Sequence, residues 1–293
     1  MIYNPTAAQA LESPITKRGS ISMRIWREDL NHTFISGNKW WKLKNNLDQA
    51  QKEGHTQLLT FGGAYSNHLY ATAAAAHELG FRSIGIVRGD EVLPLNATLS
   101  FCESKGMELH FISRDQYKTK QDEIYLQKLK DKFGSFYLIP EGGTNAMAVK
   151  GCEEWAEQIS AREDFDFLCL PVGTTGTMAG MVNRLRDKSI LGFSSLKGGD
   201  FLRNEIRQWL HHDIENWQII AQYHFGGYGK VKNELLDFII GFEKEHQVPL
   251  DPIYTSKMMY GVFDLMQEGF FPKGSKVLVL HTGGLQGRAG FNF

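Results

Sequence analysis

Short apolar segments alternate with helical segments along almost the whole of this 293-residue chain, and this alternation constrains the fold more than any other feature. The apolar segments predict eight strands, at residues 58–61, 83–87, 108–112, 136–140, 165–172, 190–194, 218–222 and 276–280. Helices are predicted between Ser66 and Gly80, and at residues 95–104, 116–132, 147–160, 178–188, 202–211, 232–246 and 257–267. Short apolar strands that alternate with helices indicate parallel sheets covered on both faces, and therefore an α/β fold.

The composition narrows the class of protein. Apolar residues make up 42% of the chain and charged residues 22%, which suits a chain with a buried core and not a disordered one. The net charge of -1 gives no basic surplus for nucleic acid or an anionic membrane. The three cysteines show no CxxC spacing and the N-terminus has no signal-peptide pattern. We therefore expect a cytoplasmic protein without a structural zinc site.

Glycine-rich turns follow several of the predicted strands, at residues 62–67, 142–145, 173–177 and 282–284. Ligands of α/β sheets bind beyond the carboxyl ends of the strands, where these turns lie. The turn at residues 173–177 opens a helix and adds threonine hydroxyls, a chemistry suited to a phosphate group. Turns between strands and helices also need glycine without any ligand. The turn lacks the Walker lysine and the GxGxxG spacing, so a nucleotide is disfavoured.

Lys39 lies in the segment SGNKWWK, directly after a loop at residues 31–37 and at the start of a predicted helix. The helix dipole disfavours a cation there, and Lys42 adds a second cation one turn further on. Both effects lower the pKa of the Lys39 amine, and a lysine that forms an imine must be partly unprotonated. The neighbouring Trp40 and Trp41 are interpreted as packing residues.

Three further side chains have a structural and a chemical interpretation. Ser66 is placed to cap the helix that follows it, and it also stands at a strand end. Tyr228 and Tyr254 lie in turn-like sequence, although isolated tyrosines usually belong to a core or an interface. The histidines, among them His68, have no metal-ligand spacing with carboxylates and are interpreted as structural, so no metal is expected. The chain contains no GxSxG segment, so a serine hydrolase is not expected.

Five ordered motifs together resemble one family. They lie at residues 27–43, 62–67, 173–180, 251–257 and 280–284, so the resemblance covers nearly the whole chain. The chain resembles the fold type II pyridoxal-phosphate enzymes, and within them the 1-aminocyclopropane-1-carboxylate deaminase and D-cysteine desulfhydrase group. This resemblance implies a tryptophan-synthase-β-like fold with two parallel-sheet domains and a homodimer. The small domain would span residues 43–148, the large domain would span residues 1–42 plus 149–293, and pyridoxal phosphate would bind between them.

The resemblance also implies roles for individual residues. Lys39 would hold pyridoxal phosphate as an imine and later move the α-proton of the substrate. Asn67 would hydrogen-bond the ring oxygen of the cofactor, and Lys42 would help to neutralise its phosphate. Ser66 would bind the substrate carboxylate or assist proton transfer, with Asn67 and Tyr228 as further substrate contacts. The expected cofactor contacts are completed by Gly173, Thr174, Thr175, Gly176, Thr177, Tyr254 and Thr255.

The expected catalytic residues are Lys39, Ser66, Tyr228 and Tyr254, with both tyrosines on the substrate side of the ring as acid, base or nucleophile-assisting groups. The deaminases of the group tend to place a glutamate against the pyridine nitrogen where this chain has Thr255. A neutral threonine gives a weaker electron sink, which suits β-elimination of a good leaving group such as sulfide. This favours D-cysteine desulfhydrase activity.

Two departures from the family pattern are expected to affect substrate shape more than cofactor identity. Thr175 stands where glycine is common, and a β-branched residue resists positive φ, so either the loop has another conformation or phosphate binding is altered. The Trp40–Trp41 pair is bulkier than the usual small and basic pair. The alternatives are a 1-aminocyclopropane-1-carboxylate deaminase, a lyase for D-serine or another small amino acid, a non-catalytic pyridoxal-phosphate or amino-acid binding protein, and a different α/β enzyme that binds a nucleotide.

Overall fold

The computed structural model describes residues 1–291 and folds them into two sheets flanked by helices. The strands are β1 (Ala8–Ala10), β2 (Ser22–Trp26), β3 (Gln57–Gly63), β4 (Arg82–Arg88), β5 (Met107–Ile112), β6 (Tyr137–Ile139), β7 (Phe167–Val172), β8 (Ser189–Ser194), β9 (Trp217–Ile220) and β10 (Lys276–Leu280). The helices are α1 (Pro14–Gly19), α2 (Asn38–Lys52), α3 (Asn67–Leu79), α4 (Ala97–Ser104), α5 (Arg114–Tyr117), α6 (Glu123–Phe133), α7 (Ala146–Ser160), α8 (Gly176–Arg184), α9 (Leu202–Arg207), α10 (Asn233–His246) and α11 (Thr255–Gln267).

The two sheets take their strands from different parts of the chain. The four-stranded sheet has the order β5-β4-β3-β6, and all its neighbours are parallel. The six-stranded sheet has the order β1-β2-β10-β7-β8-β9 and is parallel except for β1 against β2. The predicted α/β fold with two parallel sheets is confirmed. The domain boundaries after residues 42 and 148 stay a prediction.

Two parts of the predicted element pattern differ from the structure. β1, α1 and β2 were not predicted, because these are short elements with little periodic signal. The helix predicted at residues 116–132 is two helices, α5 and α6. α5 ends at Tyr117, whose ring turns inward and packs on Phe61 with 6.0 Å between ring centroids. Burial of this ring competes with continuation of the helix, and a new helix begins after Asp122.

The packing of α2 against α7 forms the centre of the core. At Gly151 of α7 a Cβ atom would lie 2.0 Å from the carbonyl oxygen of Trp41, so only glycine permits this approach of the two helices. Trp41 stacks on Trp155 with 6.2 Å between centroids. Trp40 and Trp41 are 7% and 5% exposed, which agrees with their interpretation as packing residues. No helix in residues 1–291 is long and apolar enough to cross a membrane.

Candidate active site

A cavity of about 300 Å³ lies where the carboxyl ends of strands from both sheets meet. The turns after β3 and β7 reach it, and so does the loop after β10. Ligand sites of parallel sheets occur at such strand ends. Seven of the residues predicted for the site line this cavity: Lys39, Ser66, Asn67, Gly173, Thr174, Tyr228 and Tyr254.

The loop that leads to Lys39 is fixed by the buried carboxylate of Glu28. This carboxylate accepts hydrogen bonds from the indole nitrogens of Trp26 and Trp41, both at 2.6 Å, and from the hydroxyl of Thr6 at 2.7 Å. A buried charge is tolerated when its oxygens are satisfied by donors in this way. At Gly37 the backbone has a φ of +70°, and a Cβ atom would lie 1.9 Å from the carbonyl oxygen of Thr282. Glycine is therefore required directly before the helix that bears Lys39.

Lys39 has the ionisation behaviour expected of an imine-forming lysine. Its Nζ donates to Oδ1 of Asn38 at 3.1 Å and lies among the residues that line the cavity. Burial lowers the pKa of the Lys39 amine to about 8. A substantial fraction of the amine is therefore neutral and nucleophilic in mildly alkaline solution.

Lys42 lies behind the cavity wall, not in it. It is fully buried, and its Nζ donates to Oγ1 of Thr144 at 2.9 Å and to Oγ1 of Thr174 at 3.1 Å. Burial, followed by repulsion from Lys39, lowers the pKa of the Lys42 amine to about 7. The amine is placed to become a stable cation when an anion binds at Thr174.

Thr175 in the turn at residues 173–177 has a right-handed backbone conformation. Thr175 has a φ of −79° and Gly173 is not among the glycines with positive φ, so the β-branched side chain causes no backbone strain. Thr175 therefore needs no positive φ in this turn, and an effect of Thr175 on phosphate binding stays a prediction. Glycine at 173 serves close approach instead, because a Cβ atom there would lie 2.5 Å from Cε1 of Tyr254. Thr175, Gly176 and Thr177 are buried and do not line the cavity.

Ser66 caps α3, as its structural interpretation predicts, and it also lines the cavity, while its chemical role stays a prediction. Its Oγ accepts the backbone N–H groups of His68 and Leu69, each at 3.2 Å. A hydroxyl with both lone pairs engaged keeps its proton for donation, here toward the cavity. Asn67 begins α3, and its Oδ1 accepts from Nε2 of Gln286. The Nδ2 group of Asn67 is the donor that remains for a ligand.

Tyr228 and Tyr254 meet at the cavity although they lie on different elements. Their ring centroids are 6.1 Å apart, and the hydroxyl groups interact. Burial raises the pKa of both phenols, that of Tyr254 well above its ordinary value of 10.0. Both side chains are therefore neutral at neutral pH, where they are able to donate a proton but not to serve as phenolate bases.

Thr255 is a further predicted cofactor contact that does not line the cavity, like Lys42 and residues 175–177. Its side chain is fully buried, and its hydroxyl donates to Oδ2 of Asp251 at 2.6 Å. The same carboxylate accepts the backbone N–H groups of Tyr254 and Thr255, both at 2.8 Å. Asp251 thus fixes the start of α11 and, with it, the position of Tyr254.

Several residues that line the cavity were not predicted as site residues from the sequence, and most of them share one position in the fold. Each lies at the carboxyl end of a strand or just after it, a position that could have been searched systematically. They include Arg88 at the end of β4, Glu141 after β6 and Leu196 after β8, while Thr282 lies in the turn at residues 282–284 that the sequence had placed at a strand end. His68, interpreted from the sequence as structural, also lines the cavity, while its Nε2 lies 2.8 Å from Oγ1 of Thr60.

Comparison with known proteins decides the family. A family model described as pyridoxal-phosphate-dependent enzyme matches residues 11–283. The chain belongs to this family. A Pyrococcus horikoshii protein, named provisionally as a 1-aminocyclopropane-1-carboxylate deaminase, is 31% identical over 94% of this chain and 90% of its own length.

Two further relatives support the same subgroup of the family. The bifunctional D-cysteine desulfhydrase/1-aminocyclopropane-1-carboxylate deaminase of Arabidopsis thaliana mitochondria is 29% identical over 98% of this chain and 78% of its own length. The crystal structure of a 1-aminocyclopropane-1-carboxylate deaminase homologue superposes with a TM-score of 0.83 at 29% identity, covering 98% of this chain and 91% of that one. The family predicted from the sequence motifs is confirmed, and the chain is a pyridoxal-phosphate-dependent enzyme.

The residues of the cavity fit pyridoxal phosphate. Lys39 supplies an amine with a lowered pKa for the aldehyde, and Lys42 supplies a cation behind the hydroxyl of Thr174. No side chain caps the N-terminus of α8, so its first backbone N–H groups have no side-chain acceptor and would be donors for a phosphate that reached them. At Gly142 a Cβ atom would lie 2.5 Å from Cγ2 of Thr174, so the backbone of residue 142, without a side chain, forms the wall of the site next to Thr174.

The lowered lysine pKa values predict how the stability of the apoprotein depends on pH. Between about pH 7 and pH 8.5 the unfolded chain keeps these lysine protons while the folded chain has released part of them, so the free energy of unfolding rises with pH. Urea unfolding of the apoprotein at several pH values measures this slope. Lys42→Met should flatten it, and the exposed Lys118→Met variant is the control. If Lys42→Met left the slope of the free energy of unfolding against pH unchanged, the lowered pKa of Lys42 would not be a source of this pH dependence.

Proposed function

We propose that this protein catalyses α,β-elimination on a small amino acid, and that its leading substrate is D-cysteine, which yields pyruvate, sulfide and ammonia. The observation that supports this most is the convergence of Lys39, Ser66, Tyr228 and Tyr254 on one cavity. A lysine that is partly neutral near pH 8 faces two neutral phenols and one serine hydroxyl there. This is a set of one base and several proton donors.

Each residue has a proposed role that its contacts support. Pyridoxal phosphate, when bound, supplies a ring that withdraws electrons from the substrate α-carbon. The neutral amine of Lys39 removes the α-proton, and the hydroxyl of Ser66 donates to the substrate carboxylate beside the N-terminus of α3. Tyr228 or Tyr254 donates a proton to the departing sulfur, because both phenols keep their protons at neutral pH.

Thr255 supports sulfide elimination over cyclopropane opening. The hydroxyl proton of Thr255 is already donated to Asp251. Because residue 255 is threonine, it supplies no carboxylate that would keep the pyridine nitrogen of the cofactor protonated. D-cysteine has a good leaving group and needs less electron withdrawal than an unactivated cyclopropane.

A second candidate is deamination of 1-aminocyclopropane-1-carboxylate to 2-ketobutyrate and ammonia. The names of the relatives favour it: the Pyrococcus horikoshii protein and the crystallised homologue are both assigned to this activity or its family. The Arabidopsis thaliana protein is named for both reactions. Because the identities are near 30%, the two substrates are to be separated by experiment and not by likeness.

The deciding experiment incubates the purified, cofactor-loaded protein separately with D-cysteine, L-cysteine, D-serine and 1-aminocyclopropane-1-carboxylate. Sulfide, pyruvate and 2-ketobutyrate are measured in each case. We expect sulfide and pyruvate in equal amounts from D-cysteine, at a rate well above that from L-cysteine. Production of 2-ketobutyrate alone would establish the second candidate and refute the argument from Thr255. Cofactor binding without any turnover would support a binding protein instead.

We also propose that the protein is a cytoplasmic homodimer. The family resemblance supports the dimer, and three buried, unpaired cysteines in the described residues suit a reducing compartment. Light scattering on the purified protein measures the mass directly. A monomeric mass at micromolar concentration would refute the dimer.

A further inference from the structure

Lys257 is a buried lysine that the proposed reaction does not use. It is 1% exposed and lies in the first turn of α11, where the helix dipole disfavours a cation. Burial lowers the pKa of its amine to about 8, and the nearby charge of Asp251 opposes this only in part. Burying an amine without a hydrogen-bonded carboxylate costs free energy, so its contacts call for an explanation.

The contacts of Lys257 all lead to one loop. Its Nζ donates to the carbonyl oxygens of His224 and Gly227, both at 2.9 Å. Among the described residues, these are the hydrogen bonds that join the backbone of residues 224–230 to another element. The remaining backbone hydrogen bonds of this loop are internal, such as Gly227 N–H to the His224 carbonyl at 3.0 Å.

The conformation of this loop needs such an anchor. Phe225, Gly226, Gly227 and Gly229 have φ values of 51°, 99°, 113° and 69°, all in the left-handed half of the map. Glycine-rich backbone has many alternative conformations, so an unanchored loop would lose this one readily. Tyr228 stands at the tip of the loop, 38% exposed and beside Tyr254 in the cavity.

We propose that Lys257 is a positioning residue that holds Tyr228 against Tyr254 over the substrate side of the cavity. The start of α11 and the residues just before it then set both phenols: Asp251, before the helix, binds the backbone of Tyr254, and Lys257, in its first turn, binds the loop of Tyr228. The inference rests on the proposed function for the role of Tyr228 in turnover. The anchoring of the loop is a separate claim with its own measurement.

A double-mutant cycle tests the role in turnover. Lys257→Met and Tyr228→Phe should each lower kcat/KM for D-cysteine by about ten- to a hundredfold, because misplacement by an ångström has effects of that size. The double variant should be no worse than the poorer single variant, since Lys257 acts through Tyr228. Cofactor absorbance and thermal midpoint should stay close to wild type. Lys230→Met, an exposed lysine in the same loop, is the matched control.

Independent losses that multiply in the double variant would overturn the proposal. Lys257→Gln keeps two N–H donors and should recover part of the activity; it also replaces Lys257→Met should that variant not fold.

Hydrogen exchange of the holoprotein tests the anchor without turnover: Lys257→Met should speed exchange in residues 224–230 and leave α11 unchanged. Unchanged exchange there would overturn the anchor. Faster exchange in a protein whose wild type turns over no amino acid would refute the proposed function and keep the anchor.

Discussion

Replacing Lys39 with alanine is expected to lower amino-acid turnover by about a thousandfold or more, because it removes the proposed covalent partner of the cofactor and the proposed base together. Lys39 lines the cavity, and the pKa of its amine is lowered to about 8. The variant should also lose the absorption band of the lysine-linked cofactor, and borohydride should no longer attach the cofactor to the protein. Spectra and sulfide release from D-cysteine measure the two effects on the same sample.

The matched control is Lys44→Ala on the same helix. Lys44 pairs with Glu154 on a partly exposed face of α2 and does not line the cavity. This variant should keep the absorption band and most of the activity, since partly exposed ion pairs contribute little stability. Turnover that survives in Lys39→Ala, with the cofactor still attached by borohydride, would refute Lys39 as the imine-forming residue.

Replacing Gly151 with alanine is expected to lower the free energy of unfolding by about 3 kcal/mol, although alanine is the better helix former. The added Cβ would lie 2.0 Å from the carbonyl oxygen of Trp41, which is backbone and cannot rotate away. α2 must therefore move off α7. Because α2 also bears Lys39 and Lys42, weaker cofactor binding should accompany the lower stability. Urea unfolding and cofactor titration measure the two losses.

Gly241→Ala is the control for this substitution. Gly241 lies in α10, and nothing stands within 4 Å of a Cβ atom built there. Alanine should therefore raise the free energy of unfolding by about 0.5–1 kcal/mol through helix propensity alone. The two glycine variants should thus change stability in opposite directions. A rise in the free energy of unfolding at both positions would show that helix propensity, and not the approach of α2 to α7, sets the effect.

Much of the fold follows from patterns that lie within a few residues of each other. Apolar strands with glycine turns located β3, β4, β7, β8 and β10, because a buried parallel strand has a continuous apolar signal. The end of α5 at Tyr117 could not be predicted in this way. It depends on the packing of its ring against Phe61 from another element, and such contacts leave no mark in local sequence.

The residues of the site also divide into those with a local sequence signal and those placed by contacts with distant parts of the chain. Lys39, Ser66 and Tyr254 were predicted because their motifs are local, and all three line the cavity. The environment of Lys42 was not predicted, because its two threonine partners come from turns more than a hundred residues away. The position of Thr255 behind the wall was missed for a similar reason. Its hydroxyl has a competing acceptor in Asp251, which sequence spacing alone does not reveal.

The strand order has a consequence for synthesis of the protein on the ribosome. β2, whose end leads into the loop before Lys39, is separated from β7 by β10, the last strand of the described chain. Until β10 is made, β2 has only β1 beside it, and Gly37 lacks its partner at Thr282. The four-stranded sheet can form earlier, since its strands are consecutive in the chain. A chain that lacks residues 276–284 would therefore lack the contacts that order the segment leading to Lys39.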